Sequence, residues 1–281
     1  MARSRVAIAA LVARSADLKA RAGLDVRLTD GWLSTGDDVL VEEDLVRRLG
    51  ELAAVTAEAV GRRGRRLEYR MLNGVRRDID EPLAGHPLRY ELTGMVGRPI
   101  GWEAAKTAGH VHIRPPGARL GFPEVVEVLH GEAGFLISDF AMTPDGPRST
   151  RAWLVRARPG DWVVLPPLLA HVTIDLGAGP LVFSDVIDRR AAGIYAGVRA
   201  ARGFGWYIGA DGELRANDRY ASPPALEEVT AVEWSGPALG PLYEAFRDDP
   251  GSFDWLSDPD RFMDAAPGLA GRLETVIVTA A

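Results

Sequence analysis

Residues 124–138 read Glu-Val-Val-Glu-Val-Leu-His-Gly-Glu-Ala-Gly-Phe-Leu-Ile-Ser. Two short apolar runs, Glu124 to Leu129 and Ala133 to Ser138, flank a Gly131-Glu132-Ala133-Gly134 turn. Runs of that length around a glycine turn predict a β-hairpin. The same grammar extends in both directions, through 67–72, 88–92, 152–157, 161–165, 172–176 and 180–187. Asp145-Gly146-Pro147 and Ala178-Gly179-Pro180 punctuate these runs as turns. Many short strands between Gly/Pro turns, from about 66 to 210, predict a β-sandwich or a barrel.

The flanks differ. Over residues 42–62, Leu45, Leu49, Leu52, Val55 and Val60 recur at helical spacing, and Gly61 and Gly64 offer a stop. After Pro223-Pro224 the composition shifts. Leu239 to Arg247 predicts a short amphipathic helix with Leu239, Leu242, Tyr243 and Phe246 on one side. Residues 273–279 read as a strand. The expected organisation is an N-terminal arm and helix (1–65), a β-domain (66–220) and a mixed C-terminal extension (221–281).

The 281-residue chain is long enough for a sizeable core, and it has no cysteine, hence no disulfide framework and no thiolate chemistry. A net charge of −6 argues against a nucleic-acid partner. No stretch approaches a membrane span. The apolar run Val6 to Ala13 is interrupted by Arg14 and reads as a first helix or strand rather than a leader. A cytoplasmic protein with a small-molecule substrate is expected.

Three of the five histidines sit in patterned segments. His110 and His112 stand at i and i+2 in Gly109-His110-Val111-His112, and in a strand such residues project from one face. Two neutral imidazoles side by side are poised to grip a metal. Beyond them come Glu124, Gly131, Gly160, Pro166 and His171.

This order resembles the two-part pattern of the cupins: HxH, a loop, Glu, six residues and Gly; then Gly, five residues, Pro and a later His. The resemblance implies a single jelly-roll β-barrel and one divalent metal ion (Fe, Mn, Ni or Zn) ligated by His110, His112, Glu124 and His171. The gap between His112 and Glu124 is longer than usual. Glu127 is the nearest substitute, but strand alternation aims it at the opposite face.

From about 24 to 220 the chain is similar to one cupin family, the archaeal-type glucose-6-phosphate isomerases. The strings that carry this are Leu92-Thr93, Thr107-Ala108-Gly109-His110-Val111-His112, residues 124–131, residues 164–171 and Gly179-Pro180-Leu181-Val182-Phe183. The resemblance implies a homodimer acting on a sugar phosphate or related polyol, with aldose–ketose interconversion through an enediolate. Glu124 is then the candidate catalytic base, and Thr93, Thr107 and Gly109 the phosphate contacts. The chain departs from the family at Val126 and Ile187, where the family has Tyr, and at Ile194, where it has His. Arg189 and Arg190 lie in that region and offer replacement anion contacts. These departures also admit a metal-dependent dioxygenase, epimerase or lyase, or a non-catalytic sugar or metabolite binder.

Overall fold

A computed structural model describes residues 15–230 and 240–261. The expectations for Val6 to Ala13, Leu239 and 273–279 lie outside them.

Two sheets pack face to face. The larger has six antiparallel strands in the order Trp162–Leu165, Glu124–His130, Leu181–Asp188, Leu88–Met95, Leu67–Asn73 and Glu43–Arg48. The smaller runs Ala170–Asp175, Ala133–Ser138, Arg151–Ala157 and Ala225–Thr230, the last pair parallel. The hairpin at 124–138 therefore splits: its first strand belongs to one sheet and its second to the other.

The closed barrel does not form. Trp162–Leu165 and Glu43–Arg48 end the large sheet, Ala170–Asp175 and Ala225–Thr230 end the small one, and among the described residues no ladder joins them. A barrel needs continuous pairing round its circumference. Near the site the isolated bridges Lys106↔Ile174 and His110↔His171 connect the loop before His112 to the small sheet. The architecture is a mostly-β fold of several small sheets with short helical turns.

The helix expected over 42–62 is also corrected. Glu43–Arg48 is an edge strand paired with Leu67–Asn73; only Leu49–Leu52 is α-helical, and Gly61–Arg65 is a 3-10 turn. Leu49, Leu52 and Val55 are buried, so the apolar period is real, but Leu45 is exposed in the strand. Pairing along an open sheet edge overrides helical spacing.

Both faces of the large sheet are covered. Tyr69, Met95, Val126, Val128 and Phe183 belong to one buried cluster with Phe135, Leu136 and Leu154 of the small sheet, in which Phe135 meets Phe183 across the two sheets. On the outer face, Tyr90, Leu92, Val125, Leu129 and Val186 meet Leu28 and Leu33 from the N-terminal strands and Tyr243, Phe246 and Phe253 from the C-terminal segment. The helix Leu242–Asp248 buries Leu242, Tyr243 and Phe246 there. Leu242 N–H donates to the Glu127 carboxylate at 2.7 Å. Glu127 therefore faces outward, opposite Glu124. Among the described residues no helix is long and apolar enough to cross a membrane.

Candidate metal centre

The histidines converge from three segments. His112 lies in the two-residue strand Val111–His112, which pairs with Gly193–Ile194. His110 precedes it and forms a reciprocal bridge with His171 of the small sheet: each backbone N–H donates to the other's carbonyl at 3.0 Å. Ring centroids lie 4.7 Å apart for His110–His112, 4.6 Å for His110–His171 and 4.9 Å for His112–His171. One ring nitrogen from each lies within 4.8 Å of the others. Glycine makes this approach possible: a Cβ on Gly193 would meet His110 Cδ2 at 2.8 Å.

Glu124 enters from the large sheet. Its Oε2 is 3.5 Å from His112 Nε2 and 3.9 Å from His171 Nε2. The long loop before it is tethered twice. His112 Nδ1 lies 2.8 Å from the Phe122 carbonyl. A carbonyl only accepts, so Nδ1 carries the proton and Nε2 presents its lone pair to the cluster. Asp260, from the C-terminal segment, accepts the backbone N–H groups of Arg119 at 3.0 Å and Leu120 at 2.9 Å.

Burial sets the protonation. It lowers the His112 pKa to about 4 and that of His171 to about 3, and holds His110 well below its ordinary value with help from the other two rings. All three are neutral at pH 7, the form that ligates metals. Burial, then the Glu91 charge, raises the Glu124 carboxyl to about 8. His171 Nε2 is buried without a hydrogen-bond partner. Three neutral imidazoles and one desolvated carboxyl form a donor set that a divalent cation satisfies, so the residues present fit a metal.

The other expected residues are distributed unevenly. Thr93 is buried on the inner face of Leu88–Met95, along from Glu91. Thr107 Oγ1 accepts the Thr173 N–H at 3.1 Å, which makes it part of the loop's attachment. Gly109 has φ +70°, and a Cβ there would meet Phe204 at 2.5 Å. Arg189 is committed to Glu42 and to the carbonyls of His86, Leu83 and Ala84. Arg190 is committed to Asp188 and the Ser257 carbonyl. The two arginines therefore serve ion pairs.

Three neighbours of the centre escape the sequence reading. Tyr195 lies 5.2 Å from the His110 ring, while Ile194 beside it is exposed. Glu91 and Asp185 are registered opposite each other on adjacent strands, and burial, then the Glu91 charge, raises the Asp185 pKa well above its ordinary value. Strand alternation was the available signal, since Arg89, Glu91 and Thr93 share one face.

An HxH pair, a carboxyl and a third histidine gathered between two β-sheets define a cupin-type metal centre. Residues 46–224 match the glucose-6-phosphate isomerase (GPI) family along their whole extent. The chain belongs to that family, and it resembles the archaeal type. It is 31% identical to the glucose-6-phosphate isomerase of Pyrococcus furiosus over 132 residues, covering 47% of this chain and 62% of that protein. It is 31% identical to the enzyme of Thermococcus litoralis over 117 residues, covering 42% and 54%. The chain thus spans less than two thirds of these relatives. Among solved structures, a cupin-superfamily sugar phosphate isomerase from Silicibacter pomeroyi overlaps 65% of this chain and 92% of its own at 16% identity, with a TM-score of 0.30. That superposition is too loose to inform the site.

Proposed function

We propose that the chain is a metal-dependent aldose–ketose isomerase, with His110, His112, Glu124 and His171 holding one divalent ion. The observation that carries this is the convergence of three neutral imidazoles and Glu124 in a member of the GPI family. A bound divalent ion supplies Lewis-acid polarisation of a carbonyl and its neighbouring hydroxyl.

The protein's part is positioning and proton transfer. The Phe122 carbonyl fixes the His112 tautomer. The His110–His171 bridge fixes the other two rings. Glu124, made more basic by burial, takes the proton from the carbon beside the carbonyl and returns it to the adjacent carbon. Tyr195, with its pKa raised by burial, borders the ring of His110 and interacts with Arg47. The family reading makes the working unit a homodimer.

Elemental analysis of the purified protein and solvent deuterium exchange test the proposal, with phosphorylated and unphosphorylated aldoses both offered. About one divalent ion per chain and exchange at C1 or C2 that a chelator abolishes are expected. Metal-replete protein that exchanges no substrate proton overturns the isomerase reading.

A further inference from the structure

A cleft of about 680 Å³ lies between the turn 53–61 and the end of the helix Ala196–Ala200. That volume falls within the roughly 300–1,000 Å³ of metabolite pockets. Arg199, Arg202 and Arg219 line it, together with Ala53, Ala59 and Val60. Single exposed arginines are ordinary. Here three share one opening. Among the described residues none of the three forms an ion pair with a carboxylate, unlike Arg189, Arg190 and Arg215.

Buried polar contacts hold the walls in place. The Val55 carbonyl accepts Lys106 Nζ at 2.6 Å, and Ala57 N–H donates to Glu103 Oε2 at 3.0 Å, which pins the turn. Asn217, only 1% exposed, donates to the carbonyls of Ala201 at 3.0 Å and Phe204 at 2.9 Å. Its Oδ1 accepts the Arg219 N–H at 3.1 Å and so ties that arginine to the helix end. Arg202 closes the helix with φ +57°, in the left-handed region where glycine is the usual occupant. Its Nη2 reaches the Ala57 carbonyl at 3.4 Å, so the strained backbone sets a guanidinium against the turn.

The chain as a whole carries a net charge of −6, yet this cleft gathers three guanidinium groups. The carboxylate in its lining, Glu58, rests against Gly101, where Arg215 feels its charge. A positive cleft in an acidic molecule concentrates anions, and guanidinium forks match phosphate oxygens. We propose that the cleft is a second binding site, apart from the metal centre, for a small phosphorylated metabolite whose phosphate Arg199, Arg202 and Arg219 hold. The volume exceeds that of a phosphate alone and leaves the alanines to face the organic part of the ligand. Arg199 Cζ lies 5.4 Å from the Tyr195 ring, and Tyr195 lies 5.2 Å from the His110 ring, so these two side chains stand between cleft and centre.

Calorimetric titration of the metal-replete full chain with inorganic phosphate tests it. Saturable binding is expected. Arg202→Gln and Arg219→Gln are each expected to weaken it by about tenfold, the scale of one charge-assisted hydrogen bond. Arg148→Gln makes the same charge change at an exposed arginine outside the cleft and is expected to have no effect. Phosphate binding is also expected to survive in His110→Gln, which disables the metal centre. Melting curves establish that each variant is folded, and Arg219→Gln decides the matter if Arg202→Gln is not. Absence of saturable binding overturns the proposal, as does undiminished binding in the cleft variants or an equal loss in Arg148→Gln. Binding lost in His110→Gln and kept in the cleft variants places the phosphate at the metal centre and overturns the second site.

Discussion

Glu124 stands within ligand distance of two imidazoles and is also the carboxyl best placed to carry a proton. Glu124→Gln separates the two roles. The amide keeps an oxygen donor, so most of the metal is expected to stay, while turnover falls by about 10²- to 10⁴-fold. Metal content and deuterium exchange measured on one preparation check this, and undiminished exchange would remove Glu124 as base. Gly193 acts by having no side chain. Gly193→Ala drives a Cβ against His110 Cδ2 and the Tyr195 ring. Metal affinity is expected to fall by about 10- to 100-fold, read by competition with a chromogenic chelator. At this scale the histidines were legible because i, i+2 spacing is a local geometric fact. Glu91 and Asp185 were not. Alternating polar residues ordinarily mark a solvent face, and only the second sheet, distant in sequence, turns that face inward. Ile194 misled for a related reason: the loop turns its neighbour Tyr195 toward His110.

The strand Glu124–His130 joins the centre to the C-terminal segment, since alternate residues serve opposite faces. Glu124 points to the histidines, and Glu127 accepts the first N–H of the helix Leu242–Asp248. Burial raises the Glu127 pKa to about 7 from 4.5. A carboxyl with a raised folded-state pKa binds more protons folded than unfolded. Its contribution is whole below about pH 4.5 and is lost as the pH rises through about 7. Denaturant unfolding at pH 5 and pH 8 is expected to show this descent, up to roughly 3 kcal/mol, and Glu127→Gln to flatten it. Asp260 does the comparable job for the loop before Glu124. Asp260→Ala removes an anionic acceptor from two backbone N–H groups and is expected to lower the melting temperature and to weaken metal binding. Thermal melting and chelator competition check both, and unchanged metal affinity would dissociate the loop's tether from the site. The strands from 67 to 188 were legible because apolar runs and glycine turns are local signals. The edge strand Glu43–Arg48 was hidden because its sequence keeps helical spacing while an open sheet edge supplies the pairing. The loop's tether was hidden because Asp260 lies 140 residues from Leu120.

Taken whole, the molecule is a sandwich where the family resemblance implied a closed barrel. Turn spacing alone leaves both outcomes open, because closure depends on whether the last strands find each other. Here they do not. The reciprocal His110–His171 bridge then has a consequence beyond chemistry. It fastens the loop carrying two donors to the small sheet, and Glu124 reaches the same point from the large one. A cation gripped there is a rivet between two layers that share no ladder among the described residues. Occupancy and global stability become one linked equilibrium, in which the melting temperature rises with the logarithm of free ion. Amide protons in Ala170–Asp175 and Glu124–His130 should then slow their exchange together on loading, although they belong to different sheets.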